Sequence, residues 1–163
     1  MRKPLDTNGY LPVMRVGTGL RKGRSVYEGY QRGWGIEFGD LRNQVRNDPL
    51  YKRALECCQN RSILMEDHRI NMFLLIRFFL PRIEPGAIVE FGAYRGGNAI
   101  FMAHLVKELG LGVNVYALDT FAGMPKTDKD VDAHNEGDFR DVNFDELVAY
   151  ARSRGLDNLK FCR

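Results

Sequence analysis

The sequence lacks the long apolar runs that membrane segments need. The longest one, Met72 to Leu80, is interrupted by Arg77 and is far shorter than the roughly 20 residues of a membrane-spanning helix. No apolar segment follows the charged start Met1-Arg2-Lys3, so we predict neither a signal peptide nor a membrane anchor. The expected location is cytoplasmic.

Cysteine is scarce, with 3 in 163 residues. Cys57 and Cys58 are adjacent, and neighbouring cysteines rarely bridge each other, while Cys162 stands far from both in the sequence. An odd number without framework spacing indicates reduced thiols. The cysteines and histidines also lack the spacing of zinc ligands, so we predict no metal bound by the residues of this chain.

The composition, with 44% apolar and 28% charged residues, is typical of one globular domain. Residues 1–48 differ from the rest because they hold eight of the seventeen glycines and nine Lys/Arg against five Asp/Glu. Glycines at this density without apolar periodicity indicate loop structure, so we predict a flexible basic arm over 1–48. Its charges are scattered and carry no nucleic-acid motif, and we expect no nucleic-acid partner.

Residues 49–163 have the patterns of a folded domain that begins with helices. Asp48 is a good N-cap before Pro49, which favours a short helix to about Cys58. Apolar residues at helical spacing predict a second helix from Ser62 to Pro81. They are Ile63, Ile70, Phe73, Leu74 and Phe78.

Strands and helices alternate from residue 87 onward. The expected elements are a strand at 87–91 buried on both faces, a glycine-rich turn at 92–97, an apolar helix at 98–109, a strand at 114–118, a loop at 119–142, a helix capped by Asn143 and a strand at 159–162. This order is one βαβαβ half of a Rossmann-like, doubly wound α/β sheet. A loop as long as 119–142 is unusual and suggests a lid or a binding loop.

Ligands of such sheets bind beyond the carboxyl ends of the strands. Glu90 lies at the end of the first strand, where its carboxylate suits a ligand ammonium better than a phosphate. Asp119 ends the second strand and is placed to accept hydrogen bonds from both hydroxyls of a ribose. The glycines between Gly92 and Gly97 allow a close approach of the backbone to a ligand. An adenosyl amino acid such as S-adenosylmethionine has these parts, whereas the nicotinamide and P-loop fingerprints are absent.

At these residues the sequence resembles class I S-adenosylmethionine-dependent methyltransferases, and more narrowly the macrocin O-methyltransferase family. The resemblance rests on the segments 89–97 and 117–125, with support from the helix that carries Glu66 and Arg69, and covers about residues 50 to 163. It implies that Glu90 and the Gly92–Asn98 turn hold the methionine end, Asp119 holds the ribose, and Thr120 and Phe121 lie near the adenine. The implied cofactor residues are Glu90, Gly92, Ala93, Tyr94, Arg95, Gly96, Gly97, Asn98, Asp119, Thr120 and Phe121.

The resemblance further implies transfer of a methyl group to a hydroxyl of a sugar or another small natural product. It also implies a Mg²⁺ ion held by acidic residues that would follow Arg163. Because the family fold has seven strands, we expect this chain to be an incomplete form of the domain, without turnover by itself. A homo-oligomer stays open, and no catalytic residue is assigned.

Two other classes of function stay open at the level of the sequence. The chain could be a non-catalytic binding or interaction module, or, with less support, a nicotinamide-dependent oxidoreductase. His134 is the one histidine that a long loop could bring near an acceptor hydroxyl as a general base, although an ordinary loop histidine is the simpler interpretation.

Overall fold

The computed structural model describes residues 41–84, 86–128, 130 and 132–163. The described residues fall into two compact units. The first contains 41–53 and 64–84, and the second contains 54–63 and the described residues from 86 onward. Most of the predicted basic arm, residues 1–40, lies outside the described residues.

The first unit is helical. Helix α1 spans Leu41–Asn47, α2 begins in this unit and spans Pro49–Cys58, and α3 spans Glu66–Leu74. A π-helical turn at Leu75–Phe79 and a 3₁₀ turn at Leu80–Arg82 continue α3.

The core of this unit depends on apolar side chains at helical spacing. Val45, Ile70 and Phe73 are fully buried, and the ring of Tyr51 meets that of Phe73 edge-on at 5.4 Å between centroids. Asp48 caps α2 as predicted, because its carboxylate accepts the backbone N–H of Leu50 at 2.8 Å.

Two boundaries in the first unit differ from the sequence prediction. Residues 41–47, assigned to the arm, form a helix because Leu41 and Val45 bury one apolar side. The second helix begins at Glu66 rather than at Ser62, and Ile63 is 67% exposed instead of being part of an apolar stripe. At both boundaries the segment contains only one or two apolar residues, too few to define a buried helix face from the sequence.

The second unit contains a parallel sheet in the order β1-β2-β3, with β1 at Ala87–Phe91, β2 at Asn114–Leu118 and β3 at Leu159–Cys162. Helix α4, Gly97–Glu108, connects β1 to β2, and α5, Phe144–Ser153, lies between β2 and β3. The predicted α/β class and the βαβαβ order are therefore confirmed.

Both helices follow from their sequences. Nine residues of α4 are buried, as an apolar run around most of its circumference predicts. Helix α5 begins at the Asn143 cap, whose side chain accepts the Glu146 N–H at 3.2 Å and donates to the Glu146 carboxylate at 2.8 Å. This reciprocal pair is the predicted relative of the capping box.

The prediction that β1 is buried on both faces is wrong. Its residues alternate between half-buried and exposed, and Val89 and Phe91 are 49% and 80% exposed. Among the described residues β1 pairs with β2 alone, so one edge of β1 and the face that carries Val89 and Phe91 have no cover. An apolar, β-branched run indicates that a strand prefers burial, but it does not show how many strands and helices pack against that strand.

Candidate functional site

Asp119 follows β2 directly and is held by backbone contacts. Its own N–H donates to the Cys162 carbonyl at 3.1 Å, the hydrogen bond next after the β2–β3 ladder. One carboxylate oxygen accepts the N–H of Phe121 and the other accepts the N–H of Tyr94, both at 2.8 Å. Each carboxylate oxygen has a second lone pair, so the group is fixed in place and can still accept from a ligand.

The turn from β1 to α4 requires glycine at two points. Gly92 has φ +78° and Gly96 has φ +69°, values in the left-handed region that glycine adopts without a steric cost. The Gly92 N–H donates to the Leu118 carbonyl at 2.9 Å, which places the turn beside the end of β2. Asp119 and the glycine-rich turn are therefore neighbours at the carboxyl edge of the sheet.

A cavity of about 410 Å³ opens at this edge. Its volume lies within the range of about 300–1,000 Å³ that is typical of small-molecule sites. The lining residues are Ile63, Gly92, Tyr94, Asp119, Thr120, Gly123, Met124, Pro125 and Phe139. Most of them are apolar, and Asp119 is the ionisable carboxylate among them.

Glu90 and Asn98 form a second polar group beside the turn. The Asn98 side-chain N–H donates to Glu90 Oε1 at 2.7 Å. Two buried oxygens, Glu90 Oε2 and Asn98 Oδ1, accept no hydrogen bond from any described residue. Buried polar atoms are nearly always hydrogen-bonded in native proteins, so this pair of acceptors is suited to a ligand with several N–H donors.

Burial raises the pKa of Glu90 to about 7. The hydrogen bond from Asn98 and the backbone N–H of Ala99 favour the carboxylate, but desolvation outweighs them, and the negative charge of Asp119 adds to the rise. A carboxyl group with a pKa near neutral pH ionises readily when a ligand cation binds beside it, because the cation favours the charged form.

The structure brings four of the predicted cofactor residues together at the cavity, namely Gly92, Tyr94, Asp119 and Thr120. The others do not line it: Glu90, Ala93, Arg95, Gly96, Gly97, Asn98 and Phe121. Phe121 is buried, with its ring 5.0 Å from that of Phe144 and 6.0 Å from that of Phe161. Its ring is therefore part of the packing next to the site.

Sequence reasoning missed five residues of the cavity wall. Gly123, Met124 and Pro125 belong to the 117–125 segment, whose only sequence signal is the family resemblance, whereas nothing in the sequence marks Ile63 and Phe139 as site residues. Ile63 reaches the cavity because the backbone at Arg61 and Ser62 passes close to α4. A Cβ on Gly97 would lie 2.4 Å from the Arg61 carbonyl carbon and from the Ser62 nitrogen.

Helix α5 holds the same segment from the other side. The guanidinium of Arg61 lies 4.2 Å from the centroid of the Tyr150 ring, and the Tyr150 hydroxyl donates to the Cys57 carbonyl at 2.7 Å. Gly97 and Tyr150 together therefore position Ile63 at the cavity, a long-range effect that local sequence patterns do not contain.

Within the described ranges, no group of three or more His, Cys, Asp or Glu side chains is arranged to hold a metal ion. None of the described helices combines the length and the apolarity that crossing a bilayer requires. His134 lies 4.9 Å from the ring of Phe139, measured between centroids, and its Nδ1 is 3.8 Å from an oxygen of Asp138.

The geometry defines an α/β domain with a cavity at the carboxyl ends of parallel strands, the position where open α/β sheets usually bind their ligands. The family model of Macrocin-O-methyltransferase (TylF) matches residues 79–160, which is half of the chain. The chain therefore belongs to the macrocin O-methyltransferase family, as its sequence suggested. Neither a curated protein nor a solved structure matches it.

Proposed function

We propose that this chain binds S-adenosylmethionine in the cavity at Asp119 and takes part in methyl transfer to a hydroxyl of a sugar or another small natural product. The observation that carries the proposal is the position of Asp119, a fixed carboxylate with free lone pairs on the wall of a cavity beside the Gly92–Gly97 turn. Membership of an O-methyltransferase family supports the reaction class.

Asp119 is the residue that we assign to the ribose. A carboxylate whose two oxygens each retain an acceptor site can take both hydroxyls of a vicinal diol. The backbone N–H groups of Tyr94 and Phe121 fix its orientation, so little side-chain freedom is lost on binding. Thr120, Met124 and Phe139 line the adjoining wall and suit a flat, largely apolar base.

The Glu90–Asn98 pair is assigned to the methionine end. The two buried oxygens, to which no described residue donates a hydrogen bond, would accept an ammonium group. A ligand carboxylate would lie at the start of α4, where Gly96 offers no side-chain cap and the first backbone N–H groups attract an anion. The other residues of the turn, Ala93 and Gly97, shape this end.

S-adenosylmethionine, when bound, supplies a methyl group activated by its sulfonium. The task of the protein is then to hold the acceptor oxygen in line and to assist its deprotonation. His134 is a candidate for that second task because it lies against Phe139, which lines the cavity. The described residues offer no ligand set that fits Mg²⁺.

We further propose that the 163 residues by themselves carry out no turnover. The exposed edge and face of β1 support this proposal, since a doubly wound sheet is normally covered on both faces. The low cysteine content, three in 163 residues without framework spacing, supports a reducing, cytoplasmic environment.

Calorimetry with S-adenosylhomocysteine on the full chain tests the proposed site. We expect binding by the natural sequence and a roughly tenfold or larger loss of affinity in Asp119→Ala, because a charged hydrogen-bonding partner is removed. Asp157→Ala is the control, since Asp157 is an exposed carboxylate outside the cavity. Absence of binding, or equal affinity in Asp119→Ala, would contradict the proposal.

A non-catalytic binding module is the second candidate, favoured by the same exposed apolar face of β1. Thermal shift with a panel of nucleotide cofactors separates it from the first, because a ligand that binds the native state stabilises it according to its affinity. A binding module would respond to none of them. A nicotinamide-dependent oxidoreductase would respond to the dinucleotide instead.

A further inference from the structure

We infer that Asp141 is a positioning residue of the cavity, to which nothing in the sequence patterns had drawn attention. Asp141 lies two residues before the Asn143 cap of α5 and is exposed. One oxygen of its carboxylate accepts the Tyr94 hydroxyl at 2.7 Å, and the other accepts a guanidinium N–H of Arg95. The end of the 119–142 loop is thereby tied to the glycine-rich turn.

Tyr94 needs such an anchor because its backbone is strained. Its φ is +50°, in the left-handed region that costs a non-glycine residue about 1 kcal/mol or more. Residues persist in this region only where their surroundings hold them. Three contacts do so here: the backbone N–H to Asp119, the ring to Phe139 at 5.1 Å between centroids, and the hydroxyl to Asp141.

The anchor acts on the cavity through Tyr94. The Tyr94 N–H donates to the Asp119 carboxylate, and the Tyr94 ring packs edge-on against Phe139. Asp119, Tyr94 and Phe139 all line the cavity, whereas Asp141 does not. Of the two residues that Asp141 contacts, Tyr94 lines the cavity and Arg95 does not. We therefore expect a change at Asp141 to affect a ligand through Tyr94. This inference rests on the proposed function for the identity of the ligand.

Electrostatics favour the intact contact at neutral pH. The hydrogen bonds from Tyr94 and Arg95 hold the pKa of Asp141 below its ordinary value, and the bond to Asp141 raises the pKa of Tyr94 above its own. The carboxylate is thus ionised and the phenol protonated, the states that this pair needs. The Arg95 guanidinium, a cofactor residue by the family resemblance, donates to Asp141 and lies 5.0 Å from the centroid of the Tyr94 ring.

The first measurement needs no ligand. Amide hydrogen exchange on the full chain, resolved by residue, reports how firmly the Tyr94 and Phe121 N–H groups are held on Asp119. We expect Asp141→Ala to speed exchange at both sites by about three- to tenfold, the effect of losing one or two net hydrogen bonds. Asp141→Asn keeps an acceptor for the Tyr94 hydroxyl, so its exchange rates should lie between those of the natural sequence and those of Asp141→Ala.

The second measurement is the dissociation rate of S-adenosylhomocysteine. Asp141→Ala is expected to release it about three- to tenfold faster, and Tyr94→Phe to act similarly. The double variant should be no worse than the stronger single one, because both changes break the same link. Asp145→Ala is the matched control, an exposed carboxylate in the first turn of α5, and should behave as the natural sequence in both measurements.

The outcomes separate this inference from the proposed function. Faster exchange confined to Tyr94 and Phe121 with faster release supports the positioning role. Exchange and release both unchanged in Asp141→Ala would overturn it, as would faster exchange spread evenly over α4, which indicates general destabilisation. If the natural sequence binds no S-adenosylhomocysteine, the proposed function fails, and the exchange measurement alone decides the role of Asp141.

Discussion

Glu90 is a residue whose burial makes the stability of the protein depend on pH. Its carboxyl is buried and keeps one oxygen without a hydrogen bond from the described residues. Because burial raises its pKa from 4.5 to about 7, the native state holds the proton more tightly than the unfolded chain. The protonated group therefore contributes stability that is lost as the pH rises from about 4.5 to 7. Above pH 7 the free energy of unfolding no longer changes because of Glu90.

The Glu90→Gln variant tests this sign. An amide cannot ionise, so the free energy of unfolding of the variant should not fall with pH as that of the natural sequence does. The difference between the two proteins should therefore grow by about 2 kcal/mol from pH 5 to pH 8. Urea unfolding of both proteins at the two pH values measures the difference. A gap that stays constant with pH would contradict the assignment.

The same substitution should weaken the binding of the proposed ligand, although it stabilises the protein. Ionised Glu90 attracts an ammonium, so the affinity of the natural sequence for S-adenosylhomocysteine should rise with pH up to about 7 and then level off. The affinity of Glu90→Gln should be lower and independent of Glu90 ionisation. Calorimetry across this pH range, compared with the unfolding data, separates the two roles of the residue.

Among the elements, the first turn of α4 depends on its contact with the segment at 61–62. The missing side chain of Gly97 admits that backbone, while Tyr150 on α5 holds Arg61 and the Cys57 carbonyl. The contact carries Ile63 to the cavity. Gly97 therefore acts through packing: it lets the 61–62 backbone approach α4, and this approach brings Ile63 to the cavity.

Gly97→Ala should destabilise the protein by about 3 kcal/mol, because the new methyl meets backbone atoms that cannot rotate away. Gly86→Ala is the control, since a Cβ there meets nothing within 4 Å and its φ is not positive. Replacing that free glycine should leave stability nearly unchanged or raise it slightly. Chemical denaturation of both variants measures the contrast, and equal effects would show that the close approach is not maintained in solution.

On the scale of the whole molecule, the sheet of the second unit has an uncovered apolar corner. Val89 and Phe91 point from one face of β1, and the outer edge of β1 has no strand partner among the described residues. Unprotected edges with apolar side chains are sites of association between chains.

We expect the natural sequence to self-associate at high concentration and Phe91→Ser to do so less. Light scattering during size-exclusion chromatography, over a range of concentrations, checks this expectation. Phe79→Ser is the matched control because Phe79 is also an exposed aromatic residue, at 55%, but lies on a helix. If both variants reduce association equally, general hydrophobicity rather than the β1 corner is responsible.

Local patterns predicted the elements that depend on neighbours in the sequence. The Asp48 and Asn143 caps, the buried helix α4 and the three strands follow from spacing and from side chains that reach two or three residues along the chain. The exposed β1 and the position of Ile63 could not be predicted in this way, because both depend on which distant segments meet.

The sequence by itself determined the α/β class, the family, and the placement of Asp119 and the glycine-rich turn at one edge of the sheet. These features follow from backbone preferences and from the rule that parallel strands end together. Only the tertiary structure decided that Ile63 and Phe139 line the cavity, that Glu90 Oε2 is buried and accepts no hydrogen bond from the described residues, and that Asp141 holds Tyr94. Those contacts join residues far apart in the chain, and their geometry depends on packing rather than on local propensity.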